Sequence, residues 1–242
     1  MKLQQLLSYV RKAADDYRLL EDQDKIAVGI SGGKDSLALL CALKNLQRFY
    51  PKRFSLMAFT VHLGFEDFHP EPLKQYCESL GVPYKVIPTQ IQEIVFRQTQ
   101  SAGRCSLCAR LRKGALNQAA LQYGCNKVAY AHHRDDLIET MLLSLFFEGR
   151  FHSFSPKTYW ERTGLTLIRP MLYVPEAELI GFQNKYRLPV IQNPCPLDGH
   201  TKRQDAKDLL RLLNTSYPGV KDRLFAAIRS ASFDDWPIPE MK

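Results

Sequence analysis

The stretch Lys25 to Ser36, KIAVGISGGKDS, decides how this chain folds. Lys25 to Ile30 is a short apolar run that stops at a glycine pair, the pattern of a buried strand entering a tight turn. From Ser36 to Phe49 the apolar residues return at helical spacing. Gly32 and Gly33 let the backbone turn sharply and expose consecutive N–H groups. With the N-terminus of the following helix, those groups form a cradle for an anion. The Ser31 and Ser36 hydroxyls add donors, and Lys34 adds a cation. The loop is not of the G-x-x-x-x-G-K-[ST] type, because Asp35 follows the lysine and the first glycine is misplaced. A carboxylate beside a phosphate cradle repels the ligand unless a cation intervenes, which makes Asp35 a candidate Mg²⁺ ligand.

Working outward, strands are expected at 54–62, 84–87, 127–132 and 165–169. Helices are expected at 3–20, 72–80, near 91–98, and at 108–123, 135–148 and 175–187. Strands alternating with helices predict an α/β fold with a doubly wound parallel sheet of five strands, helices on both faces. The expected order is 3-2-1-4-5. The switch point then falls between the strand ending at Ile30 and the strand ending at His132, where ligands of such sheets bind. The loop 31–36 and the segment His132-His133-Arg134-Asp135-Asp136 would meet there. Three regions follow: an N-terminal helix (1–24), the nucleotide domain (25–192), and a cysteine loop with a basic helical extension (193–242) packed on it.

The chain has 242 residues and a formal charge of +8, with a pI near 9.2. An anionic partner such as nucleic acid or nucleotide suits that balance, although a moderately basic enzyme has it too. No continuous apolar segment resembles a signal peptide or a membrane span, so a cytoplasmic location and no membrane partner are expected. The six cysteines then read as thiols, ligands or catalytic groups and not as a disulfide framework. Cys105-Ser106-Leu107-Cys108 opens a helix, and Cys195 lies in the loop Asn193-Pro194-Cys195-Pro196. A closed zinc site usually needs two such pairs, whereas three cysteines around a cluster with one open iron match this count better. The helix N-terminus and the neighbouring Arg104, Arg110 and Arg112 are expected to favour thiolates. Cys41, Cys77 and Cys125 read as buried or surface thiols without a chemical role.

The sextet 31–36 resembles the signature of the PP-loop ATP pyrophosphatases (adenine nucleotide alpha hydrolase-like fold), which cut ATP between its α and β phosphates. Related families carry a segment similar to 132–136, with glycine where this chain has Ala131. The run Cys105 to Gly114, the segment Ala131 to Asp136, Ile168-Arg169-Pro170-Met171 and Asn193 to Pro196 then resemble the tRNA 2-thiocytidine synthetases, in the same order over about 25–228. Where that family has a further cysteine, this chain has Leu197-Asp198-Gly199-His200.

That resemblance implies an ATP-dependent tRNA sulfurtransferase. It would adenylate the C2 oxygen of cytidine 32 and replace it with sulfur carried on an iron–sulfur cluster, using ATP, Mg²⁺ and a [4Fe–4S] cluster. It implies cluster ligands Cys105, Cys108 and Cys195. It places ATP on Ser31, Gly32, Gly33, Lys34, Asp35 and Ser36, with the adenine edge meeting backbone at Phe59 and Val61, and His133 nearby. Asp35, Arg112, Asp135 and Cys195 become the catalytic set. Implied partners are the anticodon loop of tRNA, held by Lys202, Arg203, Lys207, Arg211, Lys221 and Arg223, and a sulfur donor such as a cysteine desulfurase. A homodimer is a further possibility. The alternatives are a PP-loop synthetase with another acceptor, of thiouridine or lysidine type, or a non-catalytic zinc- and nucleotide-binding tRNA module.

Overall fold

The structure, a computed structural model, describes residues 1–98, 103–197 and 202–230. The parts of the expected cysteine loop at 198–201, and everything after 230, lie outside them. Helix α1 (Leu3–Asp16) leads into β1 (Asp24–Gly29) and α2 (Lys34–Leu46). Then come β2 (Phe54–His62), α3 (Glu71–Ser79), β3 (Tyr84–Pro88), α4 (Ile91–Gln98) and α5 (Arg104–Gln122). Strand β4 (Lys127–Ala129) precedes α6 (Arg134–Leu143), which runs on into a π-helical turn (Ser144–Glu148). The chain continues through β5 (Lys157–Trp160), β6 (Leu165–Ile168), α7 (Glu176–Tyr186), α8 (Lys202–Ser216) and α9 (Val220–Ser230).

The sheet order is β3-β2-β1-β4-β6-β5. All pairings are parallel except β5 with β6, a hairpin in which Trp160 faces Leu165. The expected order of parallel strands is therefore present, with the expected fifth strand appearing as β6. The expected count of five is corrected to six by the edge strand β5. Two other bounds shift. Helix α5 starts at Arg104, so the C-x-x-C lies within its first turns, and β4 ends at Ala129, leaving Tyr130 to His133 as a short extended crossing into α6.

Alternation along the strands divides the core between two faces. Ile26 and Val28 of β1, Leu56 and Ala58 of β2, and Ala129 of β4 pack with α1, α2, α6 and α7. Ala27, Met57, Phe59, Val128, Leu165 and Leu167 point the other way, onto Leu116, Ala119 and Ala120 of α5. The N-terminal helix belongs to the first of these cores through Leu6, Leu7, Val10, Ala13 and Ala14, so residues 1–24 are not a detached arm. Leu210 of α8 and Ile228 of α9 join the same core.

At the amino end of the sheet, a buried ion pair fixes β1 against β4. Lys127 Nζ lies 2.6 Å from the Asp24 carboxylate, with side chains 5 % and 1 % exposed. Lys127 also donates to the Leu19 carbonyl at 2.9 Å, and Asn126 Nδ2 donates to Asp24 Oδ1 at 2.8 Å. Removing one member of such a pair strands the other charge out of water, at a cost of about 3–5 kcal/mol. Asp24→Ala is therefore expected to lower unfolding stability by about that amount. A urea titration checks this, and a loss below about 1 kcal/mol contradicts it.

Candidate functional site

Strand β1 ends where β2 holds it by both backbone and side chain. Ile30 N–H donates to the Phe59 carbonyl at 2.7 Å, and the Thr60 hydroxyl donates to the Ile30 carbonyl at 2.8 Å. The chain then turns through Gly32 at φ +88°, a conformation that an L side chain resists. A Cβ there would also lie 3.3 Å from Ile191 Cβ. The Ser36 hydroxyl donates to the Gly33 carbonyl at 2.9 Å and accepts the Ser31 N–H at 3.2 Å, bracing the loop from within. Gly33 caps α2 in an extended conformation, and among the described residues no side-chain cap hydrogen bond is made there. The first-turn amides are left for an anion.

Lys34 Nζ lies 3.2 Å from Asp35 and 3.4 Å from Glu176, the first residue of α7. Among the described residues, Asp35 Oδ1 is buried without a hydrogen-bond partner, and burial raises the pKa of this carboxyl. An orphaned carboxylate oxygen beside a phosphate cradle fits a divalent cation, which satisfies both the lone pair and the charge.

On the other side of the switch point, His133 caps α6. Its Nδ1 accepts the Asp136 N–H at 3.3 Å, and the Asp136 carboxylate accepts the His133 N–H at 2.9 Å. This is a reciprocal capping pair in which histidine replaces the usual hydroxyl. Asp136 is thus the acid at the cap. Asp135 is buried and engaged elsewhere, accepting from Lys221 at 2.7 Å and from the Glu176 N–H at 2.8 Å. Those partners hold its pKa below the usual carboxylate value against burial.

Sequence reasoning missed two acids in this cluster. Glu139, 1 % exposed, lies one turn beyond the cap, 3.3 Å from Arg203 and 3.8 Å from Lys207. Glu176 accepts from Lys207 at 2.9 Å as well as meeting Lys34. The spacing Asp135/Asp136 to Glu139 on one helix face was the available signal. The same contacts revise the basic helices. Arg203, Lys207 and Lys221 turn inward onto the carboxylates behind the phosphate loop, because buried acids there need counter-charge. Lys202 lies over the Phe147 ring at 4.0 Å, and Arg211 pairs with Asp208 at 2.8 Å. Of the six cations expected along a tRNA-binding face, three are therefore paired with these acids, while their side chains stay between 27 % and 42 % exposed.

Cys105, Cys108 and Cys195 line one cavity of about 160 Å³, open to solvent, together with Phe96, Arg112 and Asn193. The first turns of α5 present the C-x-x-C, and Cys195 N–H donates to Asn193 Oδ1 at 3.2 Å in the proline-bounded loop. That loop is tied to the phosphate loop, since the Ile191 N–H donates to the Gly32 carbonyl at 3.0 Å. The expectation of readily formed thiolates is corrected at Cys108. Burial outweighs the nearby Arg112 and pushes this thiol up. Among the described residues no three or more His, Cys, Asp or Glu are gathered closely enough to hold a metal ion. The three thiols share a cavity and fit a three-thiolate cluster in donor type and number. Cys41, Cys77 and Cys125 lie away from this cavity, and burial raises the pKa of each.

At Phe59, one of the two residues expected at the adenine edge, the ring and the carbonyl already have partners. Its ring packs in the core against Tyr123, with centroids 5.5 Å apart, and its carbonyl is taken by Ile30. Val61, in register with Ile87 of β3, is partly buried at the carboxyl end of β2.

A phosphate cradle at the carboxyl end of β1, facing a capped acidic helix across the switch point, defines the PP-loop class, and residues 2–205 match the PP-loop domain family. The chain is 37 % identical over 222 residues to the tRNA-cytidine(32) 2-sulfurtransferase of Citrifermentans bemidjiense, covering 90 % of this chain and 87 % of that protein. It is 38 % identical over 225 residues to that of Neisseria meningitidis, covering 91 % and 70 %. It belongs to this family of PP-loop proteins. The fold is also that of the U34-tRNA thiolase NcsA from Methanococcus maripaludis, solved with its [4Fe–4S] cluster (TM-score 0.73, 23 % identity, 91 % and 76 % coverage).

Burial raises Glu139 to about 7. A carboxyl whose folded pKa exceeds its unfolded one binds more protons in the folded state, so its contribution to stability falls as pH rises from 4.5 to 7. Glu139→Gln removes that fall. Relative to the parent, the variant is expected to gain up to about 3 kcal/mol between pH 4.5 and pH 7, with no further gain above. Parallel denaturant titrations across this range check the sign, and a variant whose relative stability declines with pH contradicts it.

Proposed function

We propose that this chain is an ATP-dependent tRNA sulfurtransferase that converts cytidine, at position 32, to 2-thiocytidine with release of AMP and pyrophosphate. The observation that carries the reading is the joining of two half-sites. The phosphate loop 31–36 and the loop bearing Cys195 share the Gly32–Ile191 hydrogen bond, which puts a nucleotide cradle beside a three-thiol cavity. Family membership and the cytidine(32) sulfurtransferase names of the relatives support the acceptor and the product.

In this reading the first-turn amides of α2, with the Gly33 N–H and the Ser31 hydroxyl released from the contacts they make inside the loop, receive the β- and γ-phosphates, and the Ser36 hydroxyl keeps the loop in shape. Lys34 offsets charge that develops as the α–β bond breaks. Asp35 would hold Mg²⁺ through its orphaned oxygen, and the ion would screen the phosphates from that carboxylate. The cytosine C2 oxygen attacks the α-phosphorus and pyrophosphate departs. Sulfide then forms the C2–S bond as the C2–O bond breaks, and AMP carries the oxygen away. Cys105, Cys108 and Cys195 would hold a [4Fe–4S] cluster, which supplies an iron position open to sulfide. Arg112, beside Cys108, keeps positive charge next to the thiols. Asp135 acts as a positioning residue, fixing Lys221 and the start of α7, and through Glu176 the setting of Lys34. His133 fixes the crossing into α6. A cysteine desulfurase is the proposed sulfur supplier, and the anticodon loop offers an unpaired base that is cheap to extrude.

The test is an anaerobic reaction of the iron-reconstituted protein with unmodified tRNA, ATP and sulfide, followed by nucleoside mass spectrometry. 2-Thiocytidine is expected. Cys105→Ala should abolish it while ATP binding persists, and Lys34→Ala should slow it about a hundredfold. Stoichiometric zinc with no pyrophosphate release, or full turnover by Cys105→Ala, contradicts the reading.

A further inference from the structure

Arg169 follows β6 directly and is 8 % exposed. Its Nε donates to His132 Nδ1 at 3.1 Å, its Nη1 donates to the Ser155 carbonyl, and the guanidinium lies 4.8 Å from the centroid of the Phe154 ring. Its Nη2 makes no hydrogen bond to the described residues and lies within reach of solvent, and no carboxylate there pairs with the group. The histidine is itself uncharged, held to about 4 by burial, so it accepts from the guanidinium and does not balance it.

The surroundings add positive charge. Arg169 and Arg112 both bring positive charge to bear on Tyr130. The Lys113 ammonium sits 4.1 Å over the Trp160 ring, and its pKa is lowered first by burial and then by the positive charge of Arg169. Asp136 acts on His132. A guanidinium taken out of water without a counter-charge destabilises a fold unless a ligand supplies the anion. Arg112 lines the cysteine cavity, so the cationic corner adjoins the place where the acceptor base must sit.

We propose that Arg169, supported by Lys113 and Arg112, is a phosphoryl-binding subsite separate from the 31–36 loop, and that it receives a backbone phosphodiester of the RNA or the phosphate of the adenylated base. A planar guanidinium pinned through Nε and Nη1 leaves Nη2 to donate to a phosphate oxygen, and the Phe154 ring fixes its plane. The assignment rests on the reading of the chain as a tRNA-modifying enzyme.

The experiment uses the full chain with Arg169→Gln, and with the exposed Lys113→Gln as a variant that leaves the core intact should Arg169→Gln fail to fold. Fluorescence anisotropy with labelled tRNA transcript is measured across a salt series. ATP binding and tRNA-dependent pyrophosphate release are measured separately. If the subsite takes a backbone phosphate, Arg169→Gln binds tRNA about tenfold more weakly, with a salt slope shallower by about 0.7–0.9, and binds ATP normally. Lys113→Gln moves the slope in the same direction. If it takes the adenylate phosphate, tRNA and ATP binding are unchanged while pyrophosphate release falls about tenfold. Folded variants with parental tRNA affinity, salt slope and pyrophosphate release overturn the proposal. A parent protein that binds no tRNA overturns the functional reading itself, and that result is read before any variant is made.

Discussion

One peptide unit holds the two halves of this site together. Gly32 can present its carbonyl to the Ile191 amide, 3.0 Å away, because it occupies φ +88° with no side chain to meet Ile191. The glycine pair therefore has two uses. It bends the chain so that amides converge on an anion, and it lets a later loop, four residues before Cys195, pack directly on that bend. Any residue with a Cβ at 32 would strain the turn and push the cysteine loop away in the same step.

Around that joint the molecule manages charge by enclosing it. Five carboxylates, Asp35, Asp135, Asp136, Glu139 and Glu176, stand behind or beside the phosphate loop, and Lys34, Arg203, Lys207 and Lys221 answer them. Helices α8 and α9 are thus part of the nucleotide site's electrostatic support and not an external basic arm. Among the described residues, Asp35 Oδ1 is the point where the pairing stops.

The parallel order and the switch point were legible because they rest on long apolar runs bounded by glycine and proline: KIAVGI, FSLMAFTVH, KVAYAH and LTLIR. Buried strands write themselves into sequence in that way. Strand β5 did not. KTYW is four residues long, lies at a sheet edge with Tyr159 exposed, and offers no apolar run. Its signal was the ERTG turn between it and LTLI, with Gly164 at φ +67°. In the site, the phosphate loop and the cysteine triplet were legible as motifs. The roles of Glu139 and Glu176 were not, because a buried acid and a solvated helix acid look alike until the partner element is known. The inward turn of Lys207 and Lys221 was hidden for the same reason.

The account stands on cleavage between the α and β phosphates at the 31–36 loop. Its most direct test is to follow ATP carrying separate labels on the α and γ phosphates, incubated with the protein and unmodified tRNA. AMP and intact pyrophosphate in equal amounts are the predicted products, and ADP with orthophosphate contradicts the account.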